Sequence, residues 1–224
     1  MTTSYRMLGR IAGISLATAG AIFVGIQINH PALTLDFVGS TEYLARQALK
    51  SLMTVLTLTG ITSLWARYAR QLGVLGLVGA VVFGIGYLAM FSVEVIAATV
   101  LPVLAETAPA YVQDVLTAAY GGVPAGDIGG MQFLNNVAGM GYMFGGLLFG
   151  IALFRAGVVI RWASALLAVA TTSTLALAVL PDSFNRPFAV PTGIALMGLG
   201  WSAWRRSIAT APTSASVRVV EATR

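Results

Sequence analysis

Lys50 and Glu94 are the two charged residues that fall well inside apolar stretches of this chain. A charge placed in hydrocarbon is costly, so each is by default a functional candidate. Lys50 lies about seven residues into its apolar segment, about 10 Å deep at 1.5 Å per residue. Glu94 lies at a similar depth from the matching end of the next segment. Opposite charges at one depth on consecutive helices favour an ion pair. Arg46, one turn from Lys50 on the same helix face, is placed to share Glu94. Such a pair supports three chemistries. It can fix helix register as a buried or snorkelling ion pair. It can form a polar pocket for a small molecule or a lipid headgroup. It can relay a proton.

Other polar side chains gather at the same level. Gln27, Asn29 and His30 follow the first apolar segment, and Gln132, Asn135 and Asn136 lead into the fourth. They either cap an interface or rim the pocket of Lys50 and Glu94. The candidate ligand-binding set is therefore Lys50, Glu94, Arg46, Gln27, Asn29, His30, Asn135 and Asn136. Other chemistries have little to build on. The chain has no cysteine and one histidine, which excludes disulfides, thiolate centres and bis-histidine haem within one chain. The glycines of GGVPAGDIGG (Gly121–Gly130) lack the GK[ST] and the preceding strand of a phosphate loop. Asp127 among them is a single carboxylate, a weak cation site. His30 has no triad context. No catalytic residue, metal site or cofactor is expected, and an intramembrane enzyme ranks last among the functional readings.

The elements that must carry these residues are helices in a membrane. Of the 224 residues, 57% are hydrophobic and 9% charged, and the mean hydropathy is +0.84. A soluble domain is about one quarter charged, so a water-facing globule is excluded, and the apolar runs are too long for barrel strands. The six runs are Met7–Ile28, Tyr43–Ala66, Leu72–Leu101, Val137–Phe154, Trp162–Leu180 and Phe188–Trp204. The first reads as a retained helix, not a signal peptide. The third is long enough to tilt or project. The sixth is marginal in length, with Pro191 in its first turn, where proline is tolerated.

Charge orients the bundle. Arg6, Arg10, Arg67, Arg70, Arg155, Arg161, Arg205, Arg206, Arg218 and Arg224 mark one side. Asp36, Glu42, Glu106, Asp114, Asp127 and Asp182 mark the other, together with Arg186, Arg46 and Lys50. The positive-inside rule makes both termini cytoplasmic, and Trp65, Trp162, Trp201 and Trp204 sit at the same helix ends as interfacial anchors. The net charge of +5 reflects those loops and gives no sign of nucleic-acid binding. Pro109–Ala119 repeats apolar residues at helical spacing and is expected to form a short extracytoplasmic surface helix. The tail after Arg206 is rich in Ala, Ser and Thr and is expected to be disordered. The expected domains are therefore a transmembrane unit over 1–206 and a cytoplasmic tail over 207–224.

Small residues supply the packing faces: Gly13, Ala17, Ala21 and Gly25; Gly76, Ala80 and Gly84; Gly141 with Gly145, and Gly146 with Gly150. They join helices of one bundle or form a homodimer seam. Thr54, Thr57, Thr59, Thr62, Thr171, Thr172 and Thr174 either bond back to their own helices or line a polar path. VVFGIGYL (Val81–Leu88) and LLFGIALF (Leu147–Phe154) are alike, but glycine-rich apolar sequence explains this without an inverted repeat.

RIAG at Arg10–Gly13, LFRAGVVIRWAS at Leu153–Ser164 and a glutamate late in the third segment resemble a DUF4386-like family of bacterial six-helix integral membrane proteins of unknown function. Here Val159 and Ile160 precede Arg161 where that pattern has a proline. The resemblance implies six spans and a bacterial cytoplasmic membrane, and no activity. The expected fold is thus an all-α, six-span bundle. The expected function is binding or passage of a lipid or small amphipathic molecule through an outer-leaflet pocket. The alternative is an accessory subunit whose glycine faces bind partner helices. The two differ in what they require: unfilled volume beside Lys50 and Glu94, or an exposed glycine face.

Overall fold

A computed structural model describes residues 2–178 and 185–209. Among them every regular element is helical, with no strand. Helix α1 (Thr2–Gly25) is followed by a turn and the four-residue α2 (Leu35–Val38). Ser40 then opens α3 (Thr41–Thr99), its Oγ accepting the Tyr43 N–H at 3.1 Å, which satisfies a first-turn donor.

The 59 residues of α3 are not one rod. Tyr68 and Gly73 leave helical geometry, and Gly73 adopts φ 58°, ψ −156°, a conformation essentially closed to residues with a Cβ. Straight, Lys50 and Glu94 would stand about 66 Å apart. Instead their charged atoms are 3.6 Å apart, so α3 folds back into two antiparallel limbs. These limbs are the expected second and third segments. Their break falls at Tyr68–Gly73, beside Arg67 and Arg70.

The second limb gives way to α4 (Leu101–Thr107) and α5 (Pro109–Ala119), the latter with the bounds expected of the short surface helix. Val112, Val115 and Leu116 of α5 bury against Val38, Tyr43, Ala97, Leu101 and Met131. They form a small apolar core that caps one end of the rods. Helix α6 (Gly130–Ala156) runs back and ends on Gly157, left-handed at φ 62°.

Helix α7 (Arg161–Thr172) is shorter than the apolar run Trp162–Leu180, and it tightens into a 3-10 turn over Ser173–Ala178. The cause is chemical. Thr171, Thr172, Ser173 and Thr174 each donate a hydroxyl to a carbonyl three or four residues back, at 2.7–3.3 Å, and such bonds compete with the helix ladder. Helix α8 (Asn185–Ala209) starts earlier than the run Phe188–Trp204. Pro191 therefore lies inside the helix and not in its first turn. The segment containing Asp182 and the tail after Ala209 lie outside the described residues.

Six rods close a ring in the order α1, first limb, second limb, α6, α7, α8, with α8 returning to α1. Glycine makes most of these seams. Gly86 meets Gly141 so closely that a Cβ on Gly86 would fall 2.5 Å from the Gly141 backbone. Gly145 meets Phe83, Gly146 meets Thr171 and Gly150 meets Ala168. Helix α6 thus carries two glycine rows, one toward α3 and one toward α7.

Elsewhere the seams keep only part of the expected fourfold steps. On α1 the close approaches to α8 are at Gly9, Gly13 and Gly20, with Gly200 of α8 seated against Ala17, while Ala21 and Gly25 are exposed. On the second limb they are at Gly79 and Gly86, not Gly76 and Gly84.

Three described helices are long and apolar enough to cross a membrane: Ser4–Gly25, Thr41–Thr99 and Gly130–Ala156.

Candidate functional site

The inner face of the first limb repeats at helical spacing. Tyr43, Gln47, Thr54 and Thr57 are buried on it, and Lys50 lies among them. Glu94 holds the equivalent place on the second limb, between buried Tyr87 and Ala97. Both charges therefore point into the ring. The Lys50 side chain is 16% exposed and the Glu94 side chain 13%. At 3.6 Å they form an ion pair without hydrogen-bond contact.

A cavity of about 380 Å³ opens beside this pair. It lies where the ring core meets the capping core. Phe23 and Tyr142 come from the first, and Leu33 and Val93 pack against the second. Met90, Ala119, Ala138, Phe188 and Ala189 complete an apolar wall, and Lys50, Glu94, Gln27, Asn135, Tyr120, Tyr142 and Thr174 supply the polar groups. Beyond the pair, a second void of about 60 Å³ reaches under α5, lined by Tyr43, Gln47, Leu101, Val115 and Met131. Lys50, Glu94 and Asn135 border both.

Most of the polar groups on this wall are already engaged. Gln27 Nε2 donates to the Phe23 carbonyl at 3.4 Å. Tyr120 Oη accepts the Leu33 N–H at 3.2 Å. Tyr142 Oη and Thr192 Oγ1 share a 2.6 Å hydrogen bond. Thr174 Oγ1 donates to the Thr171 carbonyl at 2.8 Å. Asn135 Nδ2 is the exception, buried and without a hydrogen-bond partner among the described residues.

The sequence candidates divide. Lys50, Glu94, Gln27 and Asn135 meet at the cavity. Arg46 does not line it, and instead of sharing Glu94 it pairs with Glu42 at 2.8 Å. Its Nη1 and Nη2 donate to the Ile26 and Asn29 carbonyls at 3.0 and 3.1 Å. That capping satisfies carbonyls freed where α1 ends, at the negative end of its dipole. Asn29 is exposed in the turn at φ 46°. His30 Nδ1 lies 2.8 Å from the Pro31 carbonyl. Asn136 Oδ1 accepts from Gln132 Nε2 at 3.1 Å on an exposed face.

Tyr120, Tyr142 and Thr174 were not among the candidates. Tyr142 did carry a signal, since a tyrosine deep in an apolar segment needs a partner for its hydroxyl. Tyr120 carried none; the fold of the α5–α6 connection alone brings it to the wall.

The threonine runs are spent largely on their own helices. Thr54, Thr57 and Thr59 donate to the Ser51, Met53 and Val55 carbonyls, as Thr171, Thr172 and Thr174 do within theirs. Asp127 Oδ1 accepts from the Gly129 N–H at 2.7 Å and organises its own loop. Among the described residues, the wall carries one charge of each sign, Lys50 and Glu94, around an apolar hollow with room for one small molecule. No family model, curated protein or solved structure matches the chain.

Proposed function

We propose that the protein is a bacterial multi-pass membrane protein that binds a small amphipathic molecule, or the head of a lipid, in the Lys50–Glu94 cavity. In this reading the six rods are the six spans, both termini are cytoplasmic and the cavity faces the outer leaflet. Membership of the DUF4386-like family belongs to the same proposal. The observation that carries it is the coincidence of unfilled volume with the Lys50–Glu94 ion pair, the one that the described residues place inside the ring. A volume of about 380 Å³ stands at the small end of the ligand pockets of proteins, about 300–1,000 Å³, and its few polar groups on an apolar wall are the usual composition of such pockets. The accessory-subunit reading calls for an exposed glycine face. Instead, Gly13, Gly20, Gly86, Gly141, Gly145, Gly146 and Gly150 all meet other helices of the same chain.

The test is native mass spectrometry of the gently extracted protein beside Glu94→Gln and Ala138→Phe variants. Ala138 is buried on the cavity wall, so the larger side chain fills the hollow and leaves the ion pair in place. The expected result is a co-purifying small molecule or lipid that both variants lose. Bare protein throughout overturns the reading. A co-purifying protein retained by both variants replaces it with the subunit reading.

A further inference from the structure

A second hollow lies at the opposite end of the ring. A cleft of about 350 Å³ opens where the break in α3 meets the last turn of α6. Leu72, Val74, Leu75 and Ala156 give it apolar walls, and Gln71 and Arg155 supply polar groups. Val74 is 77% exposed, so the apolar wall continues onto the outer surface of the bundle. Arg155 is exposed and makes no ion pair or hydrogen bond among the described residues. The same holds for Arg70, the neighbour of Gln71 in the chain.

Charge at this end is one-sided. Arg67, Arg161 and Arg205 mark it together with Arg70 and Arg155. Among the described residues no carboxylate stands with them. Those of α2, α4, α5 and the limb ends lie beside the cap, and Asp127 follows α5. Glu221 falls in the tail outside the described residues.

A guanidinium takes a phosphate through two parallel N–H···O bonds, and an exposed apolar wall beside it takes a hydrocarbon chain. Basic pockets between helices on the cytoplasmic side of membrane proteins hold anionic headgroups in this way. A free anion would use the arginine and leave the apolar wall wet. A zwitterionic lipid would bring its own cation to an end already rich in arginine. We infer that the cleft is a binding site for a phospholipid of net negative charge from the cytoplasmic leaflet. Its phosphate lies on Arg155 and an acyl chain runs along Leu72, Val74, Leu75 and Ala156. The inference rests on the membrane orientation proposed above and is independent of the Lys50–Glu94 cavity.

Native mass spectrometry of the full-length protein in detergent tests this, with dioleoylphosphatidylglycerol and dioleoylphosphatidylcholine as chain-matched probes. The glycerol lipid is expected to bind at least about fivefold more tightly than the choline lipid. Arg155→Gln is expected to weaken the glycerol lipid by about tenfold, the loss of a charge-assisted contact. Arg205→Gln removes an exposed arginine at the same end that does not line the cleft, and is expected to weaken it by less than about twofold, since solvent and salt screen a distant surface charge. Ala156→Phe fills the wall, keeps every charge and is expected to weaken both lipids. Equal losses in Arg155→Gln and Arg205→Gln overturn the site and leave only the surface potential of this end. Undiminished binding in Arg155→Gln or Ala156→Phe overturns it as well, and choline lipid binding as tightly as glycerol lipid overturns the headgroup. Glycerol lipid that binds only to Glu221→Gln gives the cleft to the tail, and displacement by an equal concentration of inorganic phosphate gives it to a free anion; either result overturns the lipid. Lipid lost in Ala138→Phe and retained in Arg155→Gln belongs to the Lys50–Glu94 cavity and overturns the cleft.

Discussion

At the scale of single residues, Lys50 and Glu94 face each other as an ion pair on the inner faces of the two limbs of α3. Removing one partner of a mostly buried ion pair leaves the other uncompensated, at a cost of about 3–5 kcal/mol, whereas replacing both with apolar groups is often neutral. Lys50→Met and Glu94→Leu are each expected to destabilise the protein by about 3 kcal/mol. The double variant is expected to recover most of that loss. Unfolding titrations in mixed detergent micelles measure it, and additive losses in the double variant would show that the two groups do not act as a pair. Arg46 contrasts with Lys50. It stands one turn away and reads alike in sequence, yet its guanidinium closes the end of α1 through the Ile26 and Asn29 carbonyls. Depth within the apolar segments made Lys50 and Glu94 an expected pair, and the two do meet. The same argument gave Arg46 a share of Glu94, and it failed there because most of the partners Arg46 takes are backbone atoms of another element.

At the scale of elements, glycine decides how near the rods lie. Gly145 packs on the Phe83 backbone, and Gly139 on the same helix faces open space. Gly145→Ala is expected to cost about 1–3 kcal/mol through overpacking. Gly139→Ala is expected to be neutral or to stabilise by up to about 1 kcal/mol through helix propensity. Thermal unfolding of the two variants side by side separates seam from surface. Equal melting temperatures would remove the seam. Gly73→Ala forces a Cβ onto a positive-φ residue between the limbs and is expected to cost about 1–3 kcal/mol of backbone strain. Existence and type of the long elements were legible from apolar run length. The ends of α7 and α8 were not. They depend on hydroxyl back-bonding at Thr171–Thr174 and on where the chain re-enters the bundle before Pro191, and hydropathy registers neither.

At the scale of the whole molecule, the two ends of the ring differ in charge. Arg67, Arg70, Arg155 and Arg161 mark one end, and Asp36, Glu42, Asp114 and Asp127 the other. The charge asymmetry predicts that the α5–α6 connection is extracytoplasmic. The absence of cysteine allows a labelling test without background. Val123→Cys, at a site 90% exposed, is expected to react with a membrane-impermeant maleimide in intact cells. Met7→Cys, 62% exposed near the other end, is expected to react only after lysis. The reverse pattern inverts the topology.

What the sequence determined by itself was set by composition and one-dimensional period. A chain with so few charges and such long apolar runs has only helices by which to satisfy its backbone in hydrocarbon. The cost of buried charge singled out Lys50 and Glu94 before any fold was known. Three further features came from the tertiary structure alone: the fold-back of α3 at Tyr68–Gly73, the choice of which small residues form the seams, and the hollow bounded by ring and cap. Each arises where surfaces far apart in the chain meet. A void is space left when side chains from α1, α3, α6 and α8 fail to fill their common volume, and no local pattern of residues encodes that remainder.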